Sequence, residues 1–131
     1  IYVDKPELMQ EFLHKDIEDI SSKRKILAEY KNFLVSKIKD SWTNSPLFIS
    51  IQDKKIPAIN TQIYQSEIGS LIAKEHGIAC MFYLTGDFVK LSFRSTDGSA
   101  RQIAEYLGGG GHDNASGAIL DKDTFFKNLL S

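Results

Sequence analysis

The chain carries a single cysteine, three prolines and almost no charge imbalance in 131 residues. One thiol builds no disulfide framework. Cys80 lies in the apolar run Ile78-Ala79-Cys80-Met81-Phe82 and reads as a core thiol, as free cysteines usually are. No apolar stretch approaches the roughly 20 residues that span a bilayer, and no signal peptide opens the chain. The resulting expectation is a cytoplasmic protein with no membrane partner. Lysine and arginine total 16 against 17 aspartates and glutamates, and neither half of the chain departs from that balance. No basic face signals general polyanion binding, so any nucleic-acid contact has to come from a local site. Metal-ligand spacing is missing too. The histidines are His14, His76 and His112, and no two lie near each other with acidic partners. The sequence supplies no metal site and no two-metal hydrolytic centre, and His14 and His76 are expected at the surface. The chain starts at Ile1 rather than methionine and is expected to be a piece of something longer.

What is present is ordinary for a globular domain, with 42% apolar and 25% charged residues. A chain of this size buries roughly two-thirds of its unfolded surface and needs no staple. Asp4-Lys5-Pro6-Glu7 reads as a helix opening, with proline in the first turn and acids near the positive end of the dipole. Leu8, Phe12, Ile17, Ile20, Leu27, Leu34 and Ile38 then recur at helical spacing. The helix is expected to run to about Asp40, with Ser21-Ser22 as a candidate break, and residues 42–46 as a loop. It is either an amphipathic helix lying on the domain or a connector from a preceding, absent domain.

Strands are expected at 47–51 and 56–59, turned by Asp53-Lys54-Lys55. Ser66 reads as the N-cap of a helix ended by Gly77. Residues 78–84 read as a central strand buried on both faces. That strand forms a hairpin, through Thr85-Gly86-Asp87, with the alternating strand Val89-Lys90-Leu91-Ser92-Phe93-Arg94. A helix at 99–107, a strand at 115–120 and a terminal helix capped by Asp121 complete the order. The fold class is α/β: a mixed β-sheet flanked by helices, with a long N-terminal connector helix. Residues 1–45 form the connector and 46–131 the domain.

The feature that carries chemistry is Gly108-Gly109-Gly110-Gly111-His112. Four glycines are costly to order, and a helix C-cap needs only one. Two readings stay open. In one, the run is a cap and a turn. In the other, backbone without Cβ atoms lets a ligand approach, and successive N–H groups bind an anion with His112 as a further donor. The run is neither a Walker loop nor a dinucleotide fingerprint, because it lacks the following Gly-Lys-Ser/Thr and the G-x-G-x-x-G spacing.

The stretch from Gly108 through His112 to Ala115-Ser116-Gly117-Ala118 resembles the GGGH motif of the DHH phosphoesterase superfamily, in its C-terminal DHH-associated domain. Val89-Lys90-Leu91-Ser92-Phe93-Arg94-Ser95 is similar to the family's strand ending in Arg-Ser. The resemblance covers residues 46–131, and Ser116 departs from the family's usual alanine. It implies a two-domain enzyme. Two manganese ions would lie in an absent N-terminal catalytic domain bearing the Asp-His-His signature, and no cofactor would lie in this chain. It implies a partner too: the 5′-phosphate end of a short oligonucleotide or nucleotide. Carried over by position, Arg94, Gly110, Gly111 and His112 would hold that phosphate, within a site spanning Gly108 and Gly109, with Ser95 a weaker candidate. An arginine grips phosphate bidentately. This chain alone has no Asp-His-His triplet and is expected to be inactive. A related non-catalytic module, the C-terminal domain of alanyl-tRNA synthetases, is the alternative. A structural domain that forms a homodimer through the N-terminal helix is the third reading.

Overall fold

The computed structural model describes the backbone of residues 6–130 and the side chains of residues 17–130. The expected placements of Asp4, Lys5, Leu8, Phe12 and His14 lie outside those side chains. The described residues form two compact units, divided between Ser36 and Lys37.

Helix α1 spans Pro6–Asn44 without interruption, about 58 Å at 1.5 Å per residue. Ser21-Ser22 does not break it, which corrects the sequence expectation. Serine costs only a few tenths of a kcal/mol in a helix interior, and the segment after Pro6 contains no glycine or proline. The helix also runs through Trp42 and ends only before Ser45-Pro46, where the residue preceding a proline is pushed to extended backbone. Ile17, Ile26 and Leu27 on this helix are exposed.

From Lys37 onward the chain builds a six-stranded sheet in the order β1-β2-β3-β4-β6-β5. Strands β1 (Leu47–Ile51) and β2 (Lys54–Asn60) form an antiparallel hairpin. Its two-residue turn, Gln52-Asp53, has both residues at positive φ, the geometry that matches strand twist. Helix α2 (Gln65–His76) makes the crossover to β3 (Ile78–Thr85), which pairs parallel to β2. β3 returns into β4 (Phe88–Ser95). Helix α3 (Ser99–Tyr106) leads to β5 (Gly110–His112), and β6 (Ala115–Asp121) inserts between β4 and β5. Half of the glycine run is thus an edge strand, which alternation cannot signal because glycine has no side chain. The last helix, expected as a regular element, is one turn, α4 (Lys122–Thr124), followed by a wider π turn at Phe125–Leu129. Leu130 then bridges Ile49 and covers part of the open edge of β1.

The sheet has two unlike faces. On one, Ile49, Ile56, Cys80, Phe82, Val89, Leu91 and Phe93 pack with Ala100, Ile103 and Ala104 of α3 and with Phe125. This is the core. Cys80 is wholly enclosed, and burial pushes its thiol up, which makes it unreactive. The other face is covered by α2 over β3 and the Arg94 end of β4, where Ile68, Ile72 and Met81 are buried, while the Lys90 end of β4, β6 and β5 remain open. The end of α1 is tied down beside β1. Trp42 donates from Nε1 to the Leu47 carbonyl (3.2 Å) and stacks edge-on with Phe48 and His76. Lys39 pairs with Glu75 at 2.6 Å. His76 is exposed, as expected.

Asp97 organises the start of α3, whose N-cap, Gly98, has no side chain to offer. Its carboxylate accepts from the Ser99 hydroxyl and from the Ser99 amide at 3.0 Å, and these bonds hold its pKa below the ordinary carboxylate value. A carboxyl lowered in the folded state contributes stability above its unfolded pKa and loses it as pH falls through the folded one. Asp97→Asn is therefore expected to lower Tm at neutral pH. The gap to the parent closes as pH drops below about 3.9, which thermal melts across pH 2–7 would check.

Candidate functional site

The open face of the sheet can be read as rungs, because paired residues on neighbouring strands share a face. One rung runs Ala79, Arg94, Ala115, His112; the next runs Met81, Ser92, Gly117, Gly110; the third runs Tyr83, Lys90, Ile119. Arg94 and His112 thus stand on the same face, on strands either side of β6. Their backbones are about 10 Å apart at two strand spacings, and only the Ala115 methyl lies between them.

Helix α2 closes one side of this site. Its N-cap residue, Tyr64, is left-handed (φ 52°) and makes no capping hydrogen bond with its side chain. Ser66, expected as the N-cap, is instead the second helical residue, which corrects the sequence reading. Its hydroxyl accepts from Arg94 Nη2 at 2.7 Å. The stem of Arg94 runs under the helix at Gly69, where a Cβ would come within 2.7 Å of Arg94 Cγ and 2.5 Å of Met81 Cε. Gly69 is what lets α2 settle onto Arg94. Gln65, at the first helical position, donates to the Thr61 carbonyl (2.9 Å) and accepts from Ser92 Oγ (3.0 Å). The result is a concavity bounded by Ser66, Arg94, Gly110, Gly111 and Ser116, with a volume of about 330 Å³. A helix N-terminus, a guanidinium and backbone without side chains converge there, and each favours an anion.

The four glycines divide by role. The amides of Gly108 and Gly109 already donate to Glu105 (3.0 Å) and Ala104 (2.7 Å), closing the end of α3. Only Gly110 and Gly111 remain, and both lie in the strand paired with β6, where successive amides point to opposite sides, so the picture of four successive N–H groups facing one anion does not hold. Gly108 has φ +89° with open space around it, the usual backbone beyond a helix end. Gly109 lies so close to β6 that a Cβ would sit 2.0 Å from the Gly117 carbonyl oxygen. Gly111, at φ +146°, would place one 2.7 Å from the Ala115 oxygen and 2.7 Å from Ser116 Cα. Gly110 alone has neither a positive φ nor a neighbour within 4 Å. Nothing in the fold requires glycine there, and its missing side chain would stand on the open face.

Ser95 is not brought to this concavity by its hydroxyl. It is buried, alternates to the core face and bonds Asn114 Oδ1 (3.0 Å) and the Ala100 amide (3.1 Å). Ser116 also turns toward α3, donating to the Ala100 carbonyl at 2.5 Å. The departure from alanine is thus absorbed on the core side. Sequence reasoning missed Ser66, Gln65 and Ser92 as site residues. The spacing of Ser92 and Arg94 on one strand face was the only signal for any of them.

Among the described residues, no group of three or more histidine, cysteine, aspartate or glutamate side chains could hold a metal. No described helix is long and apolar enough to cross a membrane.

The chain belongs to the DHHA1 domain family, whose model matches residues 30–131. Among solved structures it is similar to an uncharacterized protein from Helicobacter pylori G27. The identity is 23% and the TM-score 0.45, over 57% of this chain and 22% of that one. The comparison with curated proteins gave no match.

Proposed function

We propose that this chain is the substrate-binding part of a DHH-family metal-dependent phosphoesterase, and that it takes the 5′-phosphate end of a short oligonucleotide or nucleotide. The observation that carries the reading is the convergence of Arg94, Ser66 at the start of α2, and the glycine edge strand on one concavity. Arg94 is already oriented by Ser66, so less side-chain freedom is lost when it grips an anion. His112, across Ala115 on the same rung, supplies a second donor from the far side. The DHH-family reading implies manganese. The described residues hold no suitable donor set, so the metal would belong to a separate catalytic domain and no chemical step is assigned to these residues. Their work is positional: a phosphate fixed at Arg94 sets where the rest of the ligand lies relative to a catalytic centre elsewhere.

Calorimetric titration tests the reading with a 5′-phosphorylated dinucleotide and its 5′-hydroxyl twin. The phosphorylated ligand is expected to bind at least roughly tenfold more tightly, the equivalent of about 1.4 kcal/mol. Equal affinity for the two would overturn it.

A further inference from the structure

Arg94 stands between two hollows. On one side is the concavity at Gly110 and Gly111. On the other is a second hollow of about 300 Å³, and the two share Arg94 and Ala115 as walls. The second hollow follows α2 toward its last turn. Ser70 and Lys74, four residues apart on one flank of the helix, form one wall, and Thr96 and Asn114 the other. No carboxylate lines it. Lys74 is exposed and makes no ion pair among the described residues. Asn114 is held in place. Its Oδ1 accepts from the Gly98 amide at 2.7 Å and from Ser95 Oγ at 3.0 Å. A backbone amide can only donate, so these bonds fix which side of the Asn114 amide is oxygen. They leave Nδ2 as a donor with no partner among the described residues.

From this we infer that the second hollow is an anion subsite for the outer phosphate of a 5′-diphosphate end, with Lys74 as its cation and Asn114 Nδ2 as a fixed donor. This rests on the phosphate reading at Arg94 and extends it, because it makes the preferred ligand one with two phosphates at its 5′ end rather than one. The shared wall selects the ligand. A phosphate gripped by Arg94 has space on both sides of the guanidinium. The Gly110 side opens onto the exposed face of β6 and β5, where the rest of a ligand has room. The Lys74 side offers a cation and neutral donors with no acid among them. That combination suits a second phosphate joined to the first through one oxygen, since bonds to a charged acceptor are the strong ones. An outer phosphate there lies on the opposite side of Arg94 from the rest of the ligand, so the positional role of Arg94 is unchanged.

The test measures affinity for one dinucleotide carrying a 5′-hydroxyl, a 5′-monophosphate or a 5′-diphosphate, without divalent metal, in the parent chain and in K74Q and K90Q. Lys90 lies on β4 four residues before Arg94, about 13 Å along the strand, and outside the second hollow. K90Q therefore controls for the general loss of one positive charge. In the parent, the diphosphate is expected to bind about fivefold more tightly than the monophosphate. K74Q is expected to remove most of that increment and leave monophosphate affinity within about twofold, whereas K90Q keeps the increment. Equal affinity for the two phosphorylated ligands in the parent, an increment that survives in K74Q, or one that K90Q removes as fully as K74Q, would overturn the subsite. A monophosphate that binds no more tightly than the 5′-hydroxyl ligand would overturn the phosphate reading instead, and the subsite with it.

Discussion

Arg94→Ala is expected to weaken binding of a 5′-phosphorylated dinucleotide by at least roughly tenfold, and more if the grip is bidentate and shielded from water, since bonds to charged groups contribute about 1.5–3 kcal/mol. The same substitution should leave the affinity of the 5′-hydroxyl twin nearly unchanged. The Arg94 stem lies under Gly69, so alanine also removes packing. Arg94→Met keeps most of the stem and loses only the guanidinium. If the account holds, Met and Ala lose phosphate affinity alike, and Met retains a higher Tm. If Arg94→Met binds the phosphorylated ligand as tightly as the parent, Arg94 has no phosphate role, and its bond to Ser66 is a structural tie between β4 and α2.

The glycine series gives the second large effect, and its value lies in the contrast. Gly109→Ala places a methyl 2.0 Å from the Gly117 carbonyl oxygen and 2.8 Å from Ala118 Cα. Both obstacles are backbone and cannot swing away. The expected cost is about 3 kcal/mol or more, a fall in Tm on the order of 10 °C. Gly111→Ala should behave similarly, because φ +146° and the Ala115 oxygen at 2.7 Å oppose it together. Gly110→Ala should do the reverse. Its site is open and its φ is not positive, so alanine there should leave Tm unchanged or raise it slightly by restricting the unfolded chain. Phosphate affinity should nonetheless fall by roughly tenfold, because the new methyl stands on the open face where the ligand approaches. Thermal melts and titrations on the three variants would check this. A Gly110→Ala variant that binds normally would return all four glycines to the fold.

The same contrast shows why the site was only partly legible in the sequence. Gly108-Gly109-Gly110-Gly111 announces itself as a run, but the run does not say which glycine serves what. That depends on the distance to β6, a partner met only after the chain turns back through Asp113 and Asn114. Arg94 was readable from strand alternation and from its family motif. Ser66 was misread because a serine ahead of an apolar helical run is a good local N-cap signal. The N-cap actually falls two residues earlier, at a left-handed Tyr64, and Ser66 is drawn to a guanidinium 28 residues away. No local pattern encodes that bond. The strands with clear alternation or long apolar runs, β3 and β4, lie close to where the sequence put them, and so does the cap at Asp121, which accepts from Thr124 at 2.8 Å. The elements missed or misdrawn are the short or irregular ones, the three-residue β5 and the π turn after α4, together with the long helix, whose apolar spacing was read but whose two serines were expected to break it.

The central claim is that the concavity between the start of α2 and the glycine edge strand holds a 5′-phosphate. An NMR titration of the chain with a 5′-phosphorylated dinucleotide, repeated with its 5′-hydroxyl twin, tests it most directly. The account predicts amide shifts at Ser66, Arg94, Gly110, Gly111 and His112 with the phosphorylated ligand alone. Shifts of equal size with both ligands, or no shift at these residues with either, would contradict it.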